Sequence, residues 1–71
     1  MMDRQIVESS NLKSVGYDQS SNILEIEFLS GGIYQYFKVP SQIYLALMKA
    51  TSKGSYFHKN IKEQYKYKQI N

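Results

Sequence analysis

Seventy-one residues with 42% apolar content, seven Tyr, three Phe, four Gly and one Pro make a single folded domain; two domains would each fall near the size, about 40 residues, below which chains need disulfides, metals or partners. Cysteine is absent, which excludes a disulfide framework and a thiolate zinc site, and so short a chain leaves little room for an enclosed cofactor cavity. The net charge of +3 is unevenly held: residues 1–48 carry three basic and five acidic side chains, net −2, whereas residues 49–71 carry six Lys against Glu63 alone, net +5.

That C-terminal concentration of positive charge favours polyanionic partners, with a lysine-coated solvated face as the plainer alternative. At the other end, Met1 to Glu8 lacks the basic start and apolar run of a secretory leader, and no stretch approaches the roughly 20 apolar residues of a membrane span. The expected location is the cytoplasm.

Leu12 to Asp18, with Val15 and Tyr17, reads as a short extended run, closed by the turn formers Asp18-Gln19-Ser20-Ser21-Asn22. Ile23 to Leu29 alternates with period two, so Leu24, Ile26 and Phe28 share one face and Glu25 and Glu27 the other, the pattern of a half-buried strand. Ser30-Gly31-Gly32 supplies the backbone freedom of a tight hairpin, so Ile33 to Val39 pairs antiparallel with the preceding strand. Both alternating sets of this third strand are rich in apolar or aromatic groups. Placing Gln35 beside the glutamates turns Tyr34 and Tyr36 toward the core, and that facing is preferred.

Pro40-Ser41 marks a helix start, and Ile43, Tyr44, Leu47 and Met48 form one stripe, so Ser41 to Ala50 lies on the sheet as a helix. Thr51 to Ser55 is a break with candidate N-caps. Tyr56 to about Tyr65 then repeats the helical pattern with Phe57, Ile61 and Gln64 or Tyr65 on one side, while Lys59, Lys62 and Lys66 line another as a cationic ridge. The tail alternates Tyr and Lys from Tyr65 to Lys68 and is extended, along the sheet edge or free. Strands first and helices after predict an α+β domain, a three-stranded antiparallel meander followed by two helices packed on one face.

Nothing in the chain assembles catalytic or metal chemistry. His58 is the lone histidine, which leaves a zinc or iron site without its usual ligands, so no metal and no cofactor are expected. Ser55 precedes His58 by three residues, a spacing common in helix caps; Glu25 and Glu27 fit the wet side of a strand; Gly31-Gly32 lacks the Lys-Ser or Lys-Thr of a phosphate-binding loop. The chain is therefore read as a binding module and not as an enzyme.

Aromatic side chains interleaved with bases remain. Tyr34, Tyr36 and Lys38 alternate on one strand, Tyr65, Lys66, Tyr67 and Lys68 crowd the tail, and Lys53, Lys59 and Lys62 complete a candidate nucleic-acid surface. Tyrosine rings stack on unpaired bases while lysines neutralise phosphates. Core packing is the competing role for Tyr34 and Tyr36, and Tyr65 and Tyr67 fit either role.

Ser9 to Leu12, Ser14 to Asp18, Leu24 to Phe28, Ser30 to Tyr36 with its central Tyr-x-Tyr, Val39-Pro40, and Gly54 to Phe57 through Ile61 and Tyr65 together make the sequence resemble the KTSC domain, over about residues 8–70. A local departure is His58-Lys59-Asn60, where the family pattern has an Asn followed by basic residues. The resemblance implies a domain that occurs at the C-terminus of some lysyl-tRNA synthetases and as free-standing small bacterial proteins. RNA is accordingly the expected partner; a protein-interaction role, as in an accessory protein of a phage or mobile element, is the alternative.

Overall fold

The structure, a computed structural model, describes residues 4–71; Met1 to Asp3, where the segment read for a leader begins, lie outside the described residues. Seven elements follow in chain order: β1 (Arg4–Ile6), β2 (Leu12–Asp18), β3 (Ile23–Phe28), β4 (Ile33–Tyr36), α1 (Ser41–Lys49), α2 (Lys53–Asn60) and β5 (Tyr67–Gln69). The strands form one sheet in the order β1-β2-β3-β4-β5, every neighbouring pair antiparallel. The class is α+β as expected, but the sheet has five strands where the sequence predicts three. Four precede the helices, and the fifth is the Tyr/Lys tail, paired with β4. Three-residue edge strands carry too little alternation to stand out in sequence, and β1 and β5 are held mainly by their neighbours' ladders.

A bulge sets the facing of β2. Leu12 pairs with Phe28 and Ser14 with Glu27, so Lys13 is the extra residue, and Leu12 and Val15 reach the same face although three apart. That face carries Leu12, Val15, Leu24 and Ile26, none of them accessible to solvent, and Tyr36, all under the helices. Tyr34 and Tyr36 do look toward the helices. α1 adds Leu47, with Ile43, Tyr44 and Met48 half-buried, and the Tyr44 ring stacks on Tyr17 at 4.9 Å between centroids. Phe57 of α2 and the adjoining Ile61 complete the core.

The helix boundaries have local causes. α1 begins after Pro40, whose carbonyl accepts the Ile43 N–H at 3.0 Å. α2 begins three residues earlier than expected because the Ser52 hydroxyl accepts the Ser55 N–H at 3.3 Å, an N-cap that fixes the start at Lys53. It also ends earlier, at Asn60. Ile61 leaves helical geometry, and the Ile61 and Lys62 N–H groups share the Phe57 carbonyl, each at 2.9 Å. Ile61 is then the last apolar anchor, and the polar Lys62-Glu63-Gln64 turns the chain back toward β4. Lys59, Lys62 and Lys66 therefore do not form one helical stripe: only Lys59 is on α2.

The face of the sheet away from the helices is polar and organised around Glu25. Cross-strand pairing puts Arg4, Gly16, Glu25, Gln35 and Lys68 in one row. Gly16 offers no side chain, so the Arg4 guanidinium crosses above it to pair with Glu25. Gln35 donates to the same carboxylate at 2.8 Å from the other side. The glutamates read as the wet side of a strand thus include one that is largely covered.

Candidate functional site

A groove of about 780 Å³ opens between the helix-side face of β3, β4 and β5 and the second helix. Its floor and sides are aromatic: Phe28, Tyr34, Tyr36, Phe57, Tyr65 and Tyr67. Five of these rings close a circuit, each against the next: Phe28 on Tyr34 at 5.5 Å, Tyr34 on Tyr67 at 5.8 Å, Tyr67 on Tyr36 at 5.5 Å, Tyr36 on Phe57 at 5.4 Å and Phe57 on Phe28 at 5.3 Å. Three of these contacts are edge-to-face and two are tilted, and none is a face-to-face stack. The circuit is a bowl with a graded depth. Tyr36 at its base is 4% exposed and Tyr67 at its lip is 57% exposed. Burial, and then the neighbouring Tyr34 and Tyr67, push the Tyr36 hydroxyl up to about 12.

Local backbone features place the rings. Tyr67 sits opposite Tyr36, and Gln69 opposite Tyr34, because β5 pairs in register with β4. Gly31 takes the positive φ, 111°, that closes the β3–β4 hairpin. Gly32 serves a different purpose, since a Cβ there would stand 2.9 Å from Cε1 of the Tyr34 ring. The Tyr34 ring thus approaches the backbone at a point where only glycine leaves room for it.

Of the ten residues singled out in sequence, the structure brings Tyr34, Tyr36, Lys62, Tyr65 and Tyr67 into the groove. Lys66 leads into β5 between Tyr65 and Tyr67, its carbonyl accepting the Phe37 N–H at 2.9 Å. The remaining lysines point elsewhere. Lys38 lies past the far end of β4 in left-handed backbone, φ 58°, beside the β2–β3 turn, where Val39 N–H meets the Asn22 carbonyl. Lys53 donates to the Ala50 carbonyl at the end of α1. Lys59 is exposed on α2 outside the groove lining, and Lys68 belongs to the Glu25 row on the opposite sheet face.

The groove also uses residues that the sequence pointed to for the core or for no binding role: Phe28, Phe57, His58, Glu63, and the rim of Ser10, Asn11, Leu29 and Ser30. Phe28 and Phe57 fall on apolar stripes and were legible only as core. The rim residues read as strand end, turn or part of the family resemblance, and nothing in sequence brings them together; what gathers them is the Leu29 N–H to Asn11 carbonyl bond, 2.9 Å, which ties the β1–β2 connection to the hairpin. Among the described residues no group of three or more acidic or His side chains is placed to hold a metal ion, and no helix is long and apolar enough to cross a membrane.

A five-stranded sheet with both helices on one face and an aromatic groove beneath the second helix defines a small α+β domain. The KTSC domain profile matches residues 8–65, and the chain belongs to the KTSC domain family. A KTSC domain protein from Yersinia pestis has a crystal structure that superposes with a TM-score of 0.97, at 41% identity and over the whole of both chains. The chain is 44% identical over 70 residues to an uncharacterized protein of Stutzerimonas stutzeri, covering 97% of this chain and 99% of that protein. It is 49% identical over 63 residues to the lysine–tRNA ligase of a Nostoc species, covering 89% of this chain but only 11% of the ligase. The chain therefore corresponds to a whole small protein in one relative and to about a tenth of an enzyme in the other.

Proposed function

We propose that this chain is a non-catalytic module that binds RNA, taking unpaired bases into the aromatic groove. The observation that supports this most is the bowl itself, with rings graded from the buried Tyr36 to the exposed Tyr67 and Lys62 on its wall. Base stacking on aromatic side chains contributes about 1–3 kcal/mol per base, and lysines beside the bowl add the phosphate attraction that makes such binding salt-dependent. A duplex keeps its bases stacked inside, so the ligand is unpaired RNA: a loop, a bulge or an end. The relationship to a segment of lysine–tRNA ligases favours RNA over other polyanions. Absence of catalysis is part of the proposal. Ser55 and His58 share no hydrogen bond among the described residues, and the Ser55 N–H is engaged in capping α2.

The test is a two-dimensional amide NMR titration with tRNA and with a mixed single-stranded RNA, at low and moderate salt. The expected shifts cluster on Tyr34, Tyr36, the segment from His58 to Tyr67 and the Asn11 rim, and weaken with salt. Changing Lys59, Lys62 and Lys66 together to Glu is expected to weaken the interaction further. A spectrum unmoved by either RNA at low salt overturns the reading and leaves a protein partner, for which the exposed Leu29 and Tyr67 at the groove lip are the contact surface.

A further inference from the structure

The sides of the groove differ in charge. The side built by the β1–β2 and β3–β4 connections offers Ser10, Asn11, Leu29 and Ser30, none of them charged. The side built by α2 and the turn after it sets Lys62 beside Glu63, one positive charge against one negative. The remaining side is β5. Successive side chains of a strand alternate between its faces, so Tyr67 turns into the bowl while Lys68, opposite Gln35, stands on the far face of the sheet. The ladder runs on to Lys66 through the Phe37 N–H, which puts Lys66 on that same far face, two residues from Lys68. Both lysines are exposed, and neither has an acidic partner among the described residues: Glu25 and Glu27 are taken by Arg4 and Lys13 from the other end of that face. β5 therefore carries a ring on one side and two uncompensated positive charges on the other, and among the described residues no strand covers its edge.

We infer that the edge of β5 is a phosphodiester-binding site, over which single-stranded RNA crosses from one face of the sheet to the other, with a base in the bowl against Tyr67 and the adjoining phosphates on Lys66 and Lys68; the inference rests on the RNA-binding reading above. A nucleotide holds its flat base and its charged phosphate on opposite sides of the sugar, and β5 separates ring from ammonium groups in the same sense. Neither of the other sides competes for the phosphates. One has no charge to offer, and on the other Glu63 repels what Lys62 attracts. An edge strand also keeps a row of backbone N–H groups unused, and such groups, like lysines, are phosphate donors that position a strand without reading its sequence. The alternation of Tyr and Lys in the tail is thereby one device and not two, stacking on one face and neutralising on the other.

The experiment is fluorescence anisotropy with a labelled single-stranded RNA octamer of mixed sequence over a salt series, on the wild type, the double variant Lys66→Ala/Lys68→Ala, Lys49→Glu and Tyr67→Ala. Lys49→Glu removes the same two units of charge at the exposed end of α1, outside the groove lining. The Lys66 and Lys68 side chains are exposed, the Lys66 carbonyl bond survives the substitution, and native-like amide spectra verify the fold. Each neutralised phosphate of a single strand adds about 0.7 to the slope of log affinity against log salt. The double variant is expected to flatten the slope by twice that, about 1.4, which is a loss of roughly 25-fold at 0.1 M salt that vanishes toward 1 M. Lys49→Glu keeps the wild-type slope, and Tyr67→Ala weakens binding by a factor that salt does not change. Equal flattening by Lys49→Glu, or a double variant that matches the wild type, overturns the inference while leaving RNA binding in the groove in place. No binding of the octamer at low salt, or binding indifferent to Tyr67→Ala, overturns both.

Discussion

Gly31 and Gly32 are neighbours with separable duties. Gly31 has nothing within 4 Å of where a Cβ would be, so Gly31→Ala costs only the left-handed backbone, about 1–2 kcal/mol. Gly32→Ala drives a methyl into the Tyr34 ring and displaces it from the bowl. Urea unfolding and RNA titration separate the two: Gly31→Ala is expected to lose stability and keep affinity, and Gly32→Ala to lose up to about tenfold in affinity. Tyr36 carries a second consequence at this scale. Its hydroxyl ionises at about 12 in the fold and at about 10 in an unfolded chain, so the unfolded state releases the proton more readily. Its contribution to stability is complete below pH about 10 and is lost as pH rises through about 12, which denaturant midpoints measured along an alkaline series will follow; Tyr36→Phe flattens that dependence. Placing Gln35 with the glutamates was enough to orient Tyr34 and Tyr36 from sequence. A binding role beside core packing could be read for them, but that they meet Tyr67, thirty-one positions after Tyr36, in one groove was hidden, because it depends on the pairing of β5 with β4.

Among the elements, β1 depends on the row that crosses the open face. Glu25 is largely covered, with Arg4 on one side and Gln35 on the other. Arg4→Ala leaves that carboxylate with one partner and is expected to cost about 1–3 kcal/mol, measured by chemical denaturation. Gly16→Val should cost a similar amount by blocking the path of the guanidinium, and combining the two changes should cost less than their sum, because both remove one interaction. β2, β3, the hairpin and α1 could be read from periodicity and turn residues alone. The second helix could not be bounded that way: Phe57 and Ile61 continue helical spacing toward Tyr65, but the chain breaks after Asn60 so that Tyr65 reaches the groove and β5 reaches β4. Hydrogen bonds along a sheet edge outweighed a weak helical pattern. The bulge at Lys13 was equally invisible, since it shows only when two strands are paired.

For the whole molecule, charge asymmetry along the chain translates only partly into charge asymmetry in space. The six lysines of residues 49–71 divide among the groove, the outer side of α2, the end of α1 and the opposite sheet face. A general attraction to polyanions and a local site are therefore separate properties. Glu63 stands on the groove wall beside Lys62, so Glu63→Gln is expected to tighten RNA binding severalfold at low salt, with the gain fading as salt screens it. Binding isotherms over a salt series are the check. An increase that persists at high salt would mean that Glu63 acts by contact and not by charge.

β5 joins the sheet through backbone bonds to β4, with Phe37 N–H donating to Lys66, Ile70 N–H to Ile33 and Ile33 N–H to Asn71. It supplies Tyr67 while having, among the described residues, no further strand beyond it. A ligand that presses on Tyr67 must therefore tighten the hold of the whole strand, and the free energy it contributes to docking can be read without touching the groove. The amide protons of Phe37, Ile33 and Ile70 become the gauge: their exchange with solvent deuterium should slow on binding by the factor through which the occupied groove opposes fraying, while the amides of β2 and β3, far from that edge, keep their own pace.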